Sequence, residues 1–302
     1  MPDTSVPTPV PRDAASNAAW QRLHEAACAP YRPAGRFAWH FARGKLGRDP
    51  VFRGMLERGD VPAGVRVLDI GCGQGLFASL LAAIDAQAVR GDWPAAWPAP
   101  PVDCRYHGIE LMPRDVDRAA SALAGLPREP KVVQGNMCDA PFPPSDLVLI
   151  LDVLHYVDHD AQAAVLARVR DALQGPPDSV RTGVADPSGD AARSNDPAWP
   201  GASARPGDPV GARVARRPGR LLLRIGDQAE ARGFAVSQWV DRVVTMVRGH
   251  RAPPTWGRDV AGWVALLERL GFRVQAVPMS EGTPFANVLL VADLVPPAEA
   301  DA

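Results

Sequence analysis

The stretch Val67–Ala78, VLDIGCGQGLFA, combines residue types suited to holding a charged small molecule. Asp69 lies at the end of a β-rich apolar run, glycines stand at 71, 73 and 75, and an apolar helical pattern begins at Leu76. Glycines in such a turn let the chain reverse tightly and let a ligand approach the backbone where Cβ atoms would intrude. At the end of the first strand of an open α/β sheet, this is where nucleotides bind. Dinucleotide sites favour GxGxxG, with helix amides directed at a pyrophosphate. Here the pattern is GxGxG behind an acid, which repels pyrophosphate and suits a ligand carrying cationic groups. Glu110 ends a second run, RYHGIEL, where a carboxylate can accept both hydroxyls of a ribose. His155, in DVLHYV, offers an imidazole that can serve as a general base near neutral pH. Plainer readings stand beside these: Asp69 as a cap of the turn, Glu110 as a surface acid, His155 as a packing or substrate-contact residue.

The elements around these residues alternate. Strands are expected at 65–70, 105–111, 131–135, 146–151, 220–225, 273–278 and 287–294, and helices at 76–84, 113–124, 159–173, 237–248 and 259–270. That order argues for one doubly wound, largely parallel sheet. Two helical stretches are expected between Asn17 and Glu57. The chain has 302 residues, 46% hydrophobic and 22% charged, with a net charge of −1. Those values support a real core and exclude wholesale disorder. No apolar run approaches the roughly 20 residues of a membrane span, and no secretory signal is visible, so a cytoplasmic protein is expected. Cys28, Cys72, Cys104 and Cys138 form no CxxC pair and read as reduced thiols. Pro 32 and Gly 27 are high for an enzyme and concentrate in a Pro/Trp-rich insertion at 87–103 and in 174–219, which holds 7 Gly and 8 Pro. The expected organisation is a disordered tail at 1–18, a helical cap at 19–60, and a main domain at 61–295. A disordered insertion is expected at about 175–218 and a second tail at 296–302.

VLDIGCGQG resembles the first motif of the class I S-adenosylmethionine-dependent methyltransferases, here of the bacterial small-molecule type. The resemblance runs through most of residues 31–294 in the family's motif order. It implies a Rossmann-like, mostly parallel seven-stranded sheet with a C-terminal antiparallel hairpin and an N-terminal helical cap. It also implies S-adenosyl-L-methionine as cofactor, held by Asp69, Gly71, Gly73 and Gly75. By the same resemblance Glu110 takes the ribose, and Leu111 and Met112 pack on adenine. GNMCDAPFP (135–143) is similar to the family segment GDxxxLPF, so Asn136 stands where the family's Asp meets the adenine amino group, with Met137 beside it. An amide oxygen accepts the same hydrogen bond. DLVLILDVLHYVD (146–158) resembles the fourth motif, which brings Leu151 and Asp152 to the methionine end of the cofactor.

Methyl transfer from a sulfonium is an in-line displacement that needs no metal; alignment of nucleophile and methyl supplies the catalysis. A hydroxyl acceptor benefits from a base, and His155 is the candidate. The family often builds a lid at the position of Tyr31–Lys45, so Tyr31, Arg36 and His40, with Tyr156, are candidate substrate contacts, while Phe37 and Phe41 read as core aromatics. Residues 213–258 hold 10 Arg against 3 acids, either a solvated face or a receiver of an anionic acyl substrate, free or carrier-linked. Nucleic acid is disfavoured: the fourth motif lacks (D/N)PP(Y/F) and no stacking platform is evident. The reading is methyl transfer to an oxygen of an anionic or acyl-type small molecule. Its alternative is an inactive methyltransferase-like module that binds the cofactor in a regulatory or scaffolding role.

Overall fold

Apolar residues on both faces of the central strands dictate a sheet covered by helices on each side. The computed structural model describes residues 13–175, 218–226, 255–279 and 287–295. It shows seven strands: β1 Arg66–Ile70, β2 Arg105–Glu110, β3 Lys131–Gln134, β4 Leu147–Leu151, β5 Arg220–Gly226, β6 Phe272–Pro278 and β7 Asn287–Leu294. Their order is β3-β2-β1-β4-β5-β7-β6, parallel except for β7, which runs antiparallel to β5 and β6. Residues two apart share a sheet face. Val67, Leu147, Leu149 and Leu222 therefore join the cluster under the N-terminal helices. Leu68, Ile70, Val148, Ile150, Leu221, Leu223 and Ile225 meet the other layer.

The described helices are α1 Ala14–Cys28, α2 Arg36–Arg48, α3 Pro50–Arg58, α4 Leu76–Val89, α5 Pro113–Leu123, α6 His159–Gln174 and, toward the C-terminus, α7 Val260–Arg269. Asp13, Asp49, Asp158 and Asp259 cap α1, α3, α6 and α7 by accepting from amides two or three residues on. The cap thus has three helices rather than two. It begins at Ala14, inside the stretch expected as a tail, because Asp13 caps the Ser16 amide at 2.7 Å and Trp20 and Leu23 are buried. The Pro/Trp-rich insertion packs down: Trp97 is buried, Trp93 meets it edge-on, and Pro98 lies against the left-handed Gly59 that ends α3. The helix expected at 237–248 and most of the insertion expected at about 175–218 lie outside the described residues. Among the described residues no helix is long and apolar enough to cross a membrane.

Strand order reverses between β1 and β4, since β2 and β3 extend one way and β4 and β5 the other. The loops at the carboxyl ends of β1 and β4 diverge there and leave a crevice.

Candidate active site

The crevice floor is the glycine turn after β1. The Gly71 and Cys72 amides both donate to the Ile109 carbonyl, at 2.8 and 3.2 Å, stitching the turn to the end of β2. Gly71 has φ +72, and a Cβ on it would come within 2.6 Å of the Val153 methyls. Gly73 has φ +58 and nothing within 4 Å of where its Cβ would stand. Close packing therefore explains the glycine at 71, whereas at 73 the backbone borders open space. Gly75 caps the start of α4.

Glu110 closes β2 beside this turn and is nearly buried. One carboxylate oxygen accepts from the Gly73 amide at 2.8 Å and the other from the Met112 amide at 2.9 Å. Each oxygen of a carboxylate has two acceptor sites, so a pair of hydroxyls can still be received. Leu111, 57% exposed, stands next to it, and the half-buried Met112 caps α5.

Asp69 lies below the turn, in register with Gly108 and Leu149. Its carboxylate accepts from the Tyr106 hydroxyl at 2.7 Å, a partner different from the turn amides that a capping role requires. Burial pushes the Asp69 carboxyl up to about 7; the Tyr106 hydrogen bond opposes the rise and the Glu110 charge adds to it. This is a carboxyl poised near neutrality beneath the place where a cationic ligand would sit.

The cap closes the crevice from above. At one end of α2, Phe37 lies under the Arg118 guanidinium of α5, 4.3 Å from the ring centroid. At the other, Lys45 Nζ reaches Asp152, just past β4, at 3.3 Å. A helix of 13 residues is about 20 Å long, so α2 crosses the sheet edge from the β2 side to the β4 side. Arg36 and His40 are exposed on it. Phe37 is 45% exposed and Phe41 half-buried, stacked with ring centroids 6.1 Å apart. The expectation of a core aromatic is corrected for Phe37, while Phe41 packs half-buried against the core beside the buried stripe of Ala38, Ala42 and Leu46. Tyr31 is corrected too. It is fully buried and donates to the Gln74 carbonyl at 2.9 Å, so it props the glycine turn instead of lining a substrate surface.

Beyond β4, Asp152 adopts φ +61, rare for a residue other than glycine. Its carboxylate is held by Arg224 through both oxygens and by Lys45. Asp152 is thus engaged by protein cations at the carboxyl end of β4, where the methionine end of the cofactor is expected. Leu151 packs half-buried against the core. His155 and Tyr156 form a short 3-10 turn with their rings 4.2 Å apart. The Trp256 amide donates to the His155 carbonyl at 2.8 Å, and the Gln162 side-chain amide donates to the Trp256 carbonyl at 2.6 Å.

After β3, Asn136 is exposed and its amide oxygen accepts from the Cys138 amide at 3.0 Å. Arg168 of α6 donates to the Met137 carbonyl at 2.8 Å and to that of Ala140, with its guanidinium over Phe142. The basic stretch 213–258 is described only in part. Of its arginines, Arg220 pairs with Asp293, Arg224 with Asp152 and Asp49, and Arg258 bonds Gln162. These three are used inside the fold.

The sequence reading missed Tyr106, Arg168, Asp49 and Arg224. A signal existed for the last: within RLLLRI the period-2 pattern puts Arg224 on the same buried face as Leu222.

The fold is an α/β sheet with a crevice at its topological switch point, with one acid beside the glycine turn and another beneath it. Residues 68–175 match the family description of a methyltransferase domain. That matched domain carries the glycine turn, Glu110 and the turn after β4. Among solved structures, an O-methyltransferase family protein from Burkholderia thailandensis is similar at 14% identity, over 92% of this chain and 69% of that one, with a TM-score of 0.51. Magnesium protoporphyrin IX methyltransferase from Synechocystis aligns at 15% identity over 93% and 95% of the two chains, with a TM-score of 0.47. Human N-acetylserotonin methyltransferase aligns at 14% over 93% and 68%, with a TM-score of 0.49. At these identities the likeness is one of fold. No curated protein matches the chain significantly.

Proposed function

We propose that this enzyme transfers the methyl group to an oxygen, hydroxyl or carboxylate, of a small anionic or acyl-type acceptor by in-line displacement without a metal. The observation that carries this reading is the charge of the cap. From 26 to 48 the chain has Arg32, Arg36, Arg43, Lys45 and Arg48 and no Asp or Glu, and α2 within it crosses the crevice mouth. An anionic acceptor is drawn there and held near the methyl by the exposed Arg36 and His40. Seven of the ten arginines of 213–258 lie outside the described residues, so the cap adds a second set of candidate anion contacts to that stretch.

On this reading, the residues share the work as follows. Glu110 receives the ribose hydroxyls, Leu111 and Met112 face the adenine, and the Asn136–Met137 segment, clamped by Arg168, borders it. Gly73 leaves room for the cofactor against the backbone, and the Asp69 carboxylate balances its positive charge. The cofactor supplies an already activated methyl group. His155 accepts the proton of a hydroxyl acceptor, and Tyr156 contacts the acceptor beside it.

The test is a panel of carboxylic acids, phenols, alcohols, amines and acyl thioesters incubated with the enzyme and S-adenosylmethionine, with S-adenosylhomocysteine and methylated product followed by mass spectrometry. Turnover is expected with oxygen acceptors bearing negative charge, and Arg36→Glu is expected to raise their KM. Turnover confined to amines or neutral acceptors, or cofactor binding without any turnover, overturns the reading.

A further inference from the structure

Four charged side chains meet between the cap and the sheet. Arg224 projects from the carboxyl end of β5, on the face that Leu222 shares, and its side chain is 1% exposed. Its guanidinium grips Asp152 with two nitrogens, Nε at 2.6 Å, and gives a third to Asp49. Lys45 closes the ring, 2.8 Å from Asp49 and 3.3 Å from Asp152. Two acids and two cations balance. Burial alone would raise the Asp49 carboxyl, but Arg224 and Lys45 hold it well below the ordinary carboxylate range.

Each acid sits at a joint. Asp49 ends α2, its amide on the Lys45 carbonyl, and starts α3, its carboxylate accepting from the Val51 amide at 3.1 Å. Asp152 is itself the left-handed residue that leads into the His155 turn, and the next residue, Val153, packs against Gly71 of the glycine turn. A buried ion pair stabilises a fold little better than apolar groups of the same volume. What this one supplies is geometry, because a planar fork with fixed donors sets two carboxylates relative to each other.

We propose that Arg224 is a positioning residue for methyl transfer: it locks the cap helix to the turn after β4, so that the acceptor-covering surface and the His155 turn take one relative placement. This rests on reading the crevice as the transfer site.

Hydrogen exchange read by mass spectrometry, on the full chain with and without S-adenosylhomocysteine, tests it. Arg224→Met is expected to raise exchange in 36–48 and 152–157 together, by about tenfold or more, while β1 and β4 stay protected. Affinity for S-adenosylhomocysteine falls with it. Arg224→Lys, which keeps the charge and loses the fork, recovers only part of both. Should Arg224→Met fail to fold, Lys45→Met decides, since Lys45 is partly exposed: a rise confined to 36–48 with weaker binding supports the lock, and unchanged exchange and affinity overturn it. A folded Arg224→Met protein with wild-type exchange in both segments, or with a uniform rise across the sheet, also overturns it. Failure of the wild-type protein to bind S-adenosylhomocysteine would count against the crevice as the cofactor site, while the exchange comparison still judges the lock.

Discussion

Cofactor affinity is expected to depend on pH through Asp69. With its carboxyl pushed up to about 7 by burial, the free enzyme is protonated there through most of the acid range. A cationic ligand above it favours the ionised form. If binding needs the carboxylate, the apparent Kd scales as one plus the ratio of protonated to ionised Asp69. That factor is roughly 30 at pH 5.5 and 2 at pH 7, a change of about 16-fold or ~1.6 kcal/mol. The window stops at neutrality because the cofactor's own amino group titrates near about 7.8. Titration calorimetry with S-adenosylmethionine reads the affinity and also counts protons released, about half a proton per site at pH 7. Tyr106→Phe removes the hydrogen bond that opposes the rise. The profile should then move to higher pH, about a unit for a bond to a charged group, weakening binding at pH 7 about fivefold. Asp69→Asn should flatten the profile. Apo stability follows with opposite sign. A raised acid favours the folded state below its unfolded pKa, and that contribution, on the order of 4 kcal/mol, is lost as pH rises through 7. Equal affinities at pH 5.5 and 7, or a Tyr106→Phe profile that does not move, refute the reasoning.

Glu110→Ala removes the acceptor for the Gly73 and Met112 amides as well as for the ribose hydroxyls, so affinity for S-adenosylmethionine should fall by about 2–3 kcal/mol; unchanged affinity by calorimetry refutes the ribose role. Gly71→Ala and Gly73→Ala should part company. At 71 the added methyl meets Val153 and the melting temperature drops, whereas at 73 the strain is about 1–3 kcal/mol and the larger loss is cofactor affinity. Equal effects of the two on binding would remove the argument that Gly73 borders the cofactor. His155→Ala should lower turnover about 10²-fold at saturating cofactor and acceptor if the imidazole is the base, and a loss seen only in the acceptor KM shows a binding role instead.

Much of the frame is written in local patterns. Runs such as Leu147–Leu151 are apolar at every position because both faces of the strand are covered, and all seven described strands fall within a residue or so of where such runs predict them. The ends of the cap were less legible. Asp13 reads as one polar residue among many in a Pro- and Ser-rich stretch, and only the burial of Trp20 and Leu23 under α4 makes it a helix cap. Phe37 misled for a related reason. Three aromatics and a histidine within five positions cover more than one helix face: Ala38 and Ala42 take the fully buried stripe, Trp39 and Phe41 flank it half-buried, and Phe37 is left exposed.

The site divides along the same line. Gly71, Gly73, Gly75 and Glu110 are legible because a turn and a strand end bring together residues close in sequence or in adjacent parallel strands. Asp49, Asp152 and Arg224 are separated by 72 to 175 positions, and nothing local says that they meet. Two steps bring them together: a second half of the sheet that places β5 beside β4 after the order reverses at β1 and β4, and a cap that folds back over the carboxyl edge. Sequence alone shows Arg224 as a charge where a buried strand should be apolar, and Asp152 as an acid beyond a fourth strand. A buried arginine requires carboxylate partners, and the unpaired alternative would cost several kcal/mol. The mismatch at Arg224 therefore carried information about long-range structure, and the partner it demanded was an acid first assigned to the cofactor.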